Sequence, residues 1–205
     1  VAEGIIFPKF ADNNEPYLYD EETDPLLERD KNGKLIHKPF KVTLGIDFGG
    51  NGSMTTYVLK LYFNRYHDLR TAEEDFLPLS NDIDADMICK KFVEFYNRCR
   101  DKYGRIDWVF PDSASTTMIN SLRSAAKKAA LPYLNIKGCR KNEISDRPKT
   151  VDRLLNTGRL KINRKCERLR KAVGSLKWDE DHPNQPEDKN IGNCNDWWDA
   201  ECYTW

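Results

Sequence analysis

The sequence predicts an α/β domain in which a mixed β-sheet, including an antiparallel hairpin, is flanked by α-helices on both faces. Two segments rich in apolar and β-branched residues, 41–48 and 54–63, lie on either side of Asn51-Gly52, a dipeptide that favours a hairpin turn. Segments with helical and with strand periodicity then alternate along the chain. With 205 residues, of which 39% are hydrophobic, the chain can form one domain with a sizeable core.

The individual elements follow from periodicity and from residues that start or stop helices. Residues 1–40 are rich in turn signals and acidic residues, so we predict a connector there, with a short edge strand at 4–10. Asp84 and Ser145 are suitable amino-terminal helix caps. The other predicted strands span residues 76–79, 105–112, 133–136 and 160–162, and the predicted helices span 84–102, 116–130, 145–156, 165–176 and 193–205.

Charge is distributed unevenly along the chain, although the formal net charge is zero. The segment from Lys137 to Lys177 contains fourteen Lys or Arg residues and four Asp or Glu residues, an excess of ten positive charges. Such a segment can be a DNA-facing surface or a set of solvated helix faces, and charge alone favours neither. If it binds DNA, we expect non-specific phosphate contacts from Arg140, Lys141, Arg147, Lys149, Lys161 and Arg164.

The cysteine pattern predicts a reducing, intracellular setting. The six cysteines include no Cys-x-x-Cys pair, which argues against a disulfide framework and against a zinc site. No apolar run approaches the roughly 20 residues needed to cross a membrane, and the first residues do not resemble a signal peptide. Because the chain begins with Val rather than Met, we expect a piece of a longer protein.

Acidic residues follow two of the predicted buried strands. Asp47 ends the first strand and precedes three glycines within five residues, which leave space beside the backbone. Asp112 ends the segment 105–112 and is followed by small residues, and Asp196 and Asp199 share one face of the last predicted helix. A single Asp after a strand is most often a turn residue or a helix cap. The prediction of a site therefore depends on all of these residues together.

The four carboxylates can meet only if the two strands are neighbours and the last helix crosses their ends. Carboxylates a few ångströms apart repel each other unless one is protonated or a divalent cation lies between them. Oxygen ligands without His or Cys favour Mg²⁺ or Mn²⁺. Two such ions, about 3.5–4 Å apart, can hold the attacking and leaving oxygens of a phosphodiester in line. The pattern therefore predicts hydrolysis of a nucleic-acid backbone.

In order and spacing, the chain resembles the nuclease domain of tailed-bacteriophage terminase large subunits over residues 4–205. The resemblance is carried by Gly45-Ile46-Asp47-Phe48-Gly49, by Trp108-Val109-Phe110-Pro111-Asp112-Ser113-Ala114 and by Asp196-x-x-Asp199-Ala200-x-x-Tyr203. It implies an RNase H-like fold and metal-dependent endonucleolytic cutting of concatemeric viral double-stranded DNA during packaging. It also implies ligands for two Mg²⁺ or Mn²⁺ ions at Asp47, Asp112 and Asp199. Asp196 stands where the family often has His, as a further ligand or as a residue that positions water.

The same resemblance implies a domain division and partners. The ATPase motor of the family has a glycine-rich phosphate loop ending in Gly-Lys-Ser/Thr, and this sequence has none. Residues 1–40 are then a connector from a motor that lies outside this chain, partly packed on the domain, and residues 41–205 are the nuclease domain. The ATPase motor, the small terminase subunit and the portal would be partners of the full protein, in the host cytoplasm.

Three other interpretations remain open at this point. The segment Gly45–Gly50 with Ser53 and Thr55-Thr56 resembles the first phosphate loop of sugar kinases and actin-like ATPases, although a second such loop is missing. A Holliday-junction resolvase of the same superfamily would share the chemistry but act on branched DNA. A non-catalytic DNA- or portal-docking module would keep the fold, but it would not need the four acidic positions.

Overall fold

The computed structural model of the chain describes residues 4–49, 53–78, 80, 82–131, 135–140, 146–187 and 195–205. Six strands are formed by these residues: β1 (Leu18–Tyr19), β2 (Lys41–Asp47), β3 (Thr55–Phe63), β4 (Asp68–Leu77), β5 (Trp108–Pro111) and β6 (Leu160–Asn163). They make one mixed sheet in the order β1-β6-β4-β3-β2-β5. The antiparallel pairing of β2 with β3 confirms the predicted hairpin strands.

Five of the six strands run in the same direction. Only β3 is antiparallel to its neighbours, β2 and β4, whereas β5 is parallel to β2, β6 is parallel to β4 and β1 is parallel to β6. The carboxyl ends of these five strands therefore point towards one edge of the sheet, where β3 begins. We call this the Asp47 edge, because Asp47 is the last residue of β2 there.

Helices cover both faces of the sheet, as predicted. They are α1 (Pro8–Asp12), α2 (Ala85–Tyr103), α3 (Thr116–Lys128), α4 (Asp146–Asn156), α5 (Glu167–Ser175) and α6 (Asn195–Tyr203). Helices α2 and α3 share a buried apolar core with one face, and α1, α4, α5 and α6 share a second core with the other. The side chain of Asp84 accepts a hydrogen bond from the Met87 N–H and so starts α2, as the sequence indicated.

The alternation of side chains along β2 decides which face each residue serves. Val42, Leu44 and Ile46 belong to the core beneath α2 and α3. Because successive strand residues point to opposite faces, Thr43, Gly45 and Asp47 point to the face covered by α6. The sequence of a single strand thus combines a buried apolar row with a carboxylate aimed at the last helix.

Two predictions of local structure were wrong. Residues 8–12 form α1 rather than part of an edge strand, because Pro8 suits the first turn of a helix and Phe10 is buried against the domain. The strand expected at 76–79 is the end of the longer strand β4, which begins at Asp68. The length of β4 was not predicted because the acidic residues 73–75 interrupt its apolar pattern. In the structure these residues are paired with basic residues of α2 or with the amino terminus of α5.

Some predicted features fall partly or wholly outside the described residues. The Asn51-Gly52 turn lies outside the described residues, and so do residues 133 and 134 of the strand predicted at 133–136. From that predicted strand, Ile136 forms one parallel bridge with Val109. The segment 4–40 contributes strand β1 to the sheet and is partly packed on it, with Phe7 and Phe10 buried in the core on the α6 face and Leu27 buried in the other. Within the described residues, no helix has the length and apolarity of a membrane span.

Candidate active site

Asp47 and Asp112 follow neighbouring strands at the Asp47 edge. In the parallel pairing of β2 with β5, Ile46 lies opposite Pro111, so the two aspartates come next in the same row. The Asp112 N–H donates a hydrogen bond to the Ile46 carbonyl over 2.9 Å, and the Ala114 N–H donates to Asp112 Oδ1 over 3.0 Å. Adjacent strands are about 4.8 Å apart, so these two carboxylates are close enough to interact.

Helix α6 brings two more carboxylates to the same edge. It packs across β2 and β3, and its amino-terminal end is tied to β3 by the Thr56 hydroxyl, which donates to the Asp196 carbonyl over 2.8 Å. The Met54 N–H donates to Asp196 Oδ2, also over 2.8 Å. One oxygen of Asp196 therefore helps to hold the helix in place, whatever else that residue does.

The charges at this edge act on one another. Burial raises the pKa of Asp47 well above its usual value. The negative charges of Asp199, Asp196 and Asp112 raise that pKa further, in this order of size. All four aspartates predicted from the sequence are thus brought within electrostatic range of each other, although they come from two strands and a helix that are distant along the chain.

Tyr203 belongs to this cluster as well, one turn after Asp199 on α6. Its ring is buried, and burial raises its pKa above the usual value, with further increases from Asp47, Asp199 and Asp112. The hydroxyl therefore keeps its proton, and its polar interaction with Asp47 lowers the pKa of that carboxyl and opposes the effect of the other aspartates. In the sequence Tyr203 is only part of a spacing pattern, and its interaction with Asp47 depends on the fold.

Arg147, at the start of α4, supplies a positive charge beside the carboxylates. Its Nη1 lies 3.4 Å from Asp199 Oδ1, and its guanidinium carbon lies 5.8 Å from the centre of the Tyr203 ring. Only 11% of the Arg147 side chain is exposed, compared with 36% of the Asp199 side chain. Arg147 therefore offsets part of the negative charge at the mouth of the site.

The position of α6 depends on a glycine in β2. A Cβ atom built on Gly45 would lie 2.0 Å from the Ala200 carbonyl oxygen, so the helix backbone occupies the space that any other side chain would need. At the end of α6, the Thr43 and Tyr62 hydroxyls both donate to the Thr204 carbonyl, over 2.8 and 2.6 Å. These contacts set how far Asp199 stands from the two strand-end aspartates.

Several solved structures share this sheet and its arrangement of helices. The large terminase of a thermophilic bacteriophage matches with a TM-score of 0.70 and 18% identity, over 99% of this chain and 45% of that chain. The nuclease domain of the SPP1 large terminase, with bound Mn, matches with a TM-score of 0.58 and 16% identity, over 80% and 84%. The large terminase nuclease of another thermophilic phage, G20c, with bound magnesium, matches with a TM-score of 0.59 and 10% identity, over 100% and 97%.

The chain has the fold of large-terminase nuclease domains. This confirms the predicted RNase H-like mixed sheet. No protein-family model and no curated protein sequence matches the chain. The chain spans about 45% of the first of these large terminases.

The donor set of the terminase nuclease fold in this chain suits a hard divalent cation. Among the described residues, no group of three or more His, Cys, Asp or Glu side chains is already close enough to hold a metal ion. A shared ion would require these carboxylates to move closer together, and it would also remove the repulsion that raises the pKa of Asp47. Because the donors are carboxylate oxygens, the residues fit Mg²⁺ or Mn²⁺.

Of the six predicted phosphate contacts, one touches the carboxylate cluster and a second lies beside the end of β5. The first is Arg147, and the second is Arg140. Arg140 directly follows Cys139, and the Cys139 N–H donates to the Pro111 carbonyl over 2.8 Å. Lys149 is exposed on α4, and its ammonium lies 3.6 Å from Asp146. Lys141 lies outside the described residues.

The remaining two predicted contacts lie further away. Lys161 on β6 pairs with Arg70 on β4, towards the end of the sheet that is opposite the Asp47 edge. Arg164 is held by acidic residues, with Nη1 2.8 Å from Glu15 Oε1 and Nε 2.9 Å from Asp20 Oδ1. Binding of DNA phosphate by Arg164 would require these ion pairs to break. The basic segment is therefore not one continuous free surface.

Proposed function

We propose that this chain is the nuclease domain of a phage terminase large subunit, and that it cuts concatemeric double-stranded viral DNA during packaging. The observation that supports this most directly is the meeting of Asp47, Asp112 and Asp199 at one edge of a terminase nuclease fold. Nothing in the packing of a sheet requires several carboxylates to approach each other, because their repulsion destabilises the folded chain. A role in binding cations accounts for them.

In this proposal, Asp47, Asp112 and Asp199 are the ligands of two Mg²⁺ or Mn²⁺ ions and are the catalytic residues. The ions, when bound, would activate a water molecule and neutralise the charge that develops on the phosphodiester. Asp196 holds the start of α6 through one carboxylate oxygen and would be a further ligand of an ion. Tyr203 lowers the pKa of Asp47 and so favours its ionised form, and Arg147 balances charge at Asp199.

The proposal extends to the rest of the protein. The first of the matching large terminases was also solved in complex with ADP, and this chain spans only 44% of that chain. We expect residues 1–40 to connect the nuclease domain, residues 41–205, to an ATPase motor. Double-stranded DNA, the small terminase subunit and the portal would then be partners in the host cytoplasm.

Nicking of supercoiled plasmid tests the proposed function. We expect nicking in Mn²⁺ that is abolished by EDTA and by each of Asp47→Asn, Asp112→Asn and Asp199→Asn, whereas Asp12→Asn, on the exposed surface of α1, serves as the control and retains it. Nicking that persists in EDTA or in all three site variants would contradict the proposal. Faster cutting of four-way junctions than of linear duplex would support the resolvase alternative, and ATP hydrolysis without nicking would support the kinase alternative.

A further inference from the structure

Arg168, in the first turn of α5, is an exposed arginine at the same edge as the aspartates. Its guanidinium carbon lies 4.0 Å from the centre of the Phe76 ring and 5.5 Å from the centre of the Trp197 ring. Phe76 and Trp197 pack edge to face, with ring centres 5.5 Å apart, and Trp197 is fully buried. The cation therefore rests on a rigid aromatic support that joins the end of β4 to the start of α6.

The backbone of Arg168 is fixed as well. The N–H groups of Arg168 and Leu169 donate to the two carboxylate oxygens of Glu74, over 2.9 and 2.8 Å. A side chain that is flattened against aromatic rings and anchored at its backbone loses little conformational entropy when it binds a ligand. Arg168 is thus held in a conformation in which it can bind an anionic ligand.

The guanidinium of Arg168 has different neighbours from the guanidinium groups of the nearby arginines. Arg164 is paired with Glu15 and Asp20, and Arg170 donates to the Arg164 carbonyl over 2.8 Å. Within the described part of the chain, no carboxylate lies within ion-pair distance of the Arg168 guanidinium, which remains exposed to solvent. An anionic ligand can therefore reach Arg168 without first displacing a carboxylate of the described residues.

The distance from Arg168 to the carboxylates suits a nucleic-acid strand. Phe76 on β4 lies opposite Thr56 on β3, which lies opposite Asp47 on β2, so the support of Arg168 is two strands from Asp47. Two strand spacings amount to about 10 Å. Successive phosphates of one DNA strand advance about 3.4 Å along the helix axis and also rotate about it, so their separation in space is larger than this rise, and about 10 Å spans one or two nucleotides.

We propose that Arg168 binds a backbone phosphate of the DNA strand being cut, one or two nucleotides from the scissile bond. This inference rests on the proposed function and names the surface over which the strand runs. Arg140 stands beside β5, Arg168 stands beside β4, and the aspartates lie between them, so the two arginines bracket the site. Contacts of this kind position the strand without reading its sequence. Arg168 is a positioning residue, because it does not touch the scissile phosphate.

The test measures DNA binding and cutting separately. Binding of a labelled 30-base-pair duplex is followed by fluorescence anisotropy in Ca²⁺ at several salt concentrations, and nicking is followed in Mn²⁺. Arg168→Met keeps an apolar chain on the Phe76 and Trp197 rings but removes the charge, and Arg168→Lys keeps the charge but loses the planar stacking. The matched control is Arg65→Met, which removes an exposed arginine from the turn after β3, at the opposite end of the sheet.

For Arg168→Met we expect Kd to rise about three- to tenfold and the slope of log Kd against log salt to fall by about 0.9, the value for one lost phosphate contact. Arg168→Lys should keep the slope, and Arg65→Met should change neither quantity. Unchanged Kd and slope in Arg168→Met, with the same urea midpoint as wild type, would overturn the inference, as would wild type that binds no duplex. Wild type that binds DNA but does not nick it would contradict the proposed function instead.

Discussion

The Nζ atom of Lys60 lies 2.6 Å from Glu201 Oε1, and both side chains are excluded from solvent. Lys60 is on β3 and Glu201 is on α6, two residues after Asp199, so this ion pair joins the helix that carries the aspartates to the middle of the sheet. The Thr71 hydroxyl of β4 also bonds to Glu201, and the Trp205 ring centre lies 3.4 Å from Nζ. Burial lowers the pKa of Lys60, and the Glu201 charge opposes that shift.

We expect Glu201→Gln to lower the free energy of unfolding by about 3–5 kcal/mol, because it leaves the Lys60 ammonium buried without a counter-charge. The double variant Lys60→Met with Glu201→Gln should recover at least half of that loss, since no buried charge remains. Urea unfolding of both single variants and the double variant measures the coupling. Asp146→Asn, which removes an exposed ion pair with Lys149, is the control and should change stability by less than about 1 kcal/mol.

If the stability losses of the two single variants add up to the loss of the double variant, Lys60 and Glu201 are not coupled. If the two residues are strongly coupled in the free energy of unfolding but the variants nick DNA as fast per folded molecule as wild type, the pair does not position Asp199.

Gly45→Ala should move α6 away from β2, because the added methyl group would meet the backbone oxygen of Ala200 rather than a side chain that can rotate. Overpacking of this kind costs about 1–3 kcal/mol of stability. We also expect nicking to fall further than stability does, since Asp199 moves with the helix. Urea unfolding and the nicking rate in Mn²⁺ are the measurements.

Gly174→Ala is the matched control for that substitution. Gly174 is inside α5, and the nearest atom to its added Cβ would be in the Phe10 ring at 3.8 Å, an ordinary contact. Alanine favours the helix over glycine by about 0.5–1 kcal/mol, so this variant should be slightly more stable than wild type and should nick normally. Equal behaviour of the two alanine variants would contradict the role given to Gly45.

Local patterns were sufficient to predict much of the fold and the acidic part of the site. Asp47 and Asp112 could be predicted because each ends an apolar strand, and Asp196 and Asp199 because their spacing places them on one helix face. The parallel register that sets Ile46 opposite Pro111 then brings them together.

The partners of charged residues could not be predicted in the same way. Lys60 interrupts an apolar strand, which indicates a buried partner, but no local signal identifies Glu201 as that partner. Arg164 belongs to a basic run, and its pairing with Glu15 and Asp20 depends on how β1 docks beside β6. Long-range ion pairs of this kind are a property of the folded chain, and they decide which arginines remain available to an anionic ligand.

Acid should weaken the domain partly through Asp75, which faces Lys91 and Arg98 of α2 at 2.8 and 2.9 Å. Burial raises the pKa of Asp75, but hydrogen bonds from Lys91, the Phe76 N–H and Arg98 outweigh it, so the pKa is lower than usual. A carboxyl with a lowered pKa in the folded state stabilises the protein above its unfolded pKa of about 3.9, and this contribution is lost as the pH falls further.

Asp75→Asn should therefore lower the free energy of unfolding by about 1–3 kcal/mol at pH 7, and the difference from wild type should shrink below about pH 4. Urea unfolding between pH 7 and pH 3 checks this. Asp101→Asn is the control, because Asp101 is 71% exposed beside Arg100. A difference between Asp75→Asn and wild type that stays constant down to pH 3 would rule out the charge of Asp75 as its cause.

Asp47 should destabilise the metal-free domain. Its pKa is raised by burial and by Asp199, Asp196 and Asp112, so at neutral pH folding either keeps a carboxylate that its surroundings disfavour or takes up a proton, and both reduce stability. Asp47→Asn is neutral at every pH and should raise the melting temperature in EDTA, by about 2–4 °C for each kcal/mol of repulsion removed.

Manganese should stabilise wild type but not Asp47→Asn. An ion that binds only the folded state stabilises wild type by about 2.7 kcal/mol when its concentration is 100 times Kd. We expect this increase in melting temperature to be lost in Asp47→Asn and to be retained in Asp12→Asn, whose carboxylate is on the exposed surface of α1. The measurement is thermal unfolding in EDTA and across a Mn²⁺ titration. A lower melting temperature of Asp47→Asn in EDTA would show that Asp47 serves stability, and an unchanged Mn²⁺ response would show that it is not a ligand.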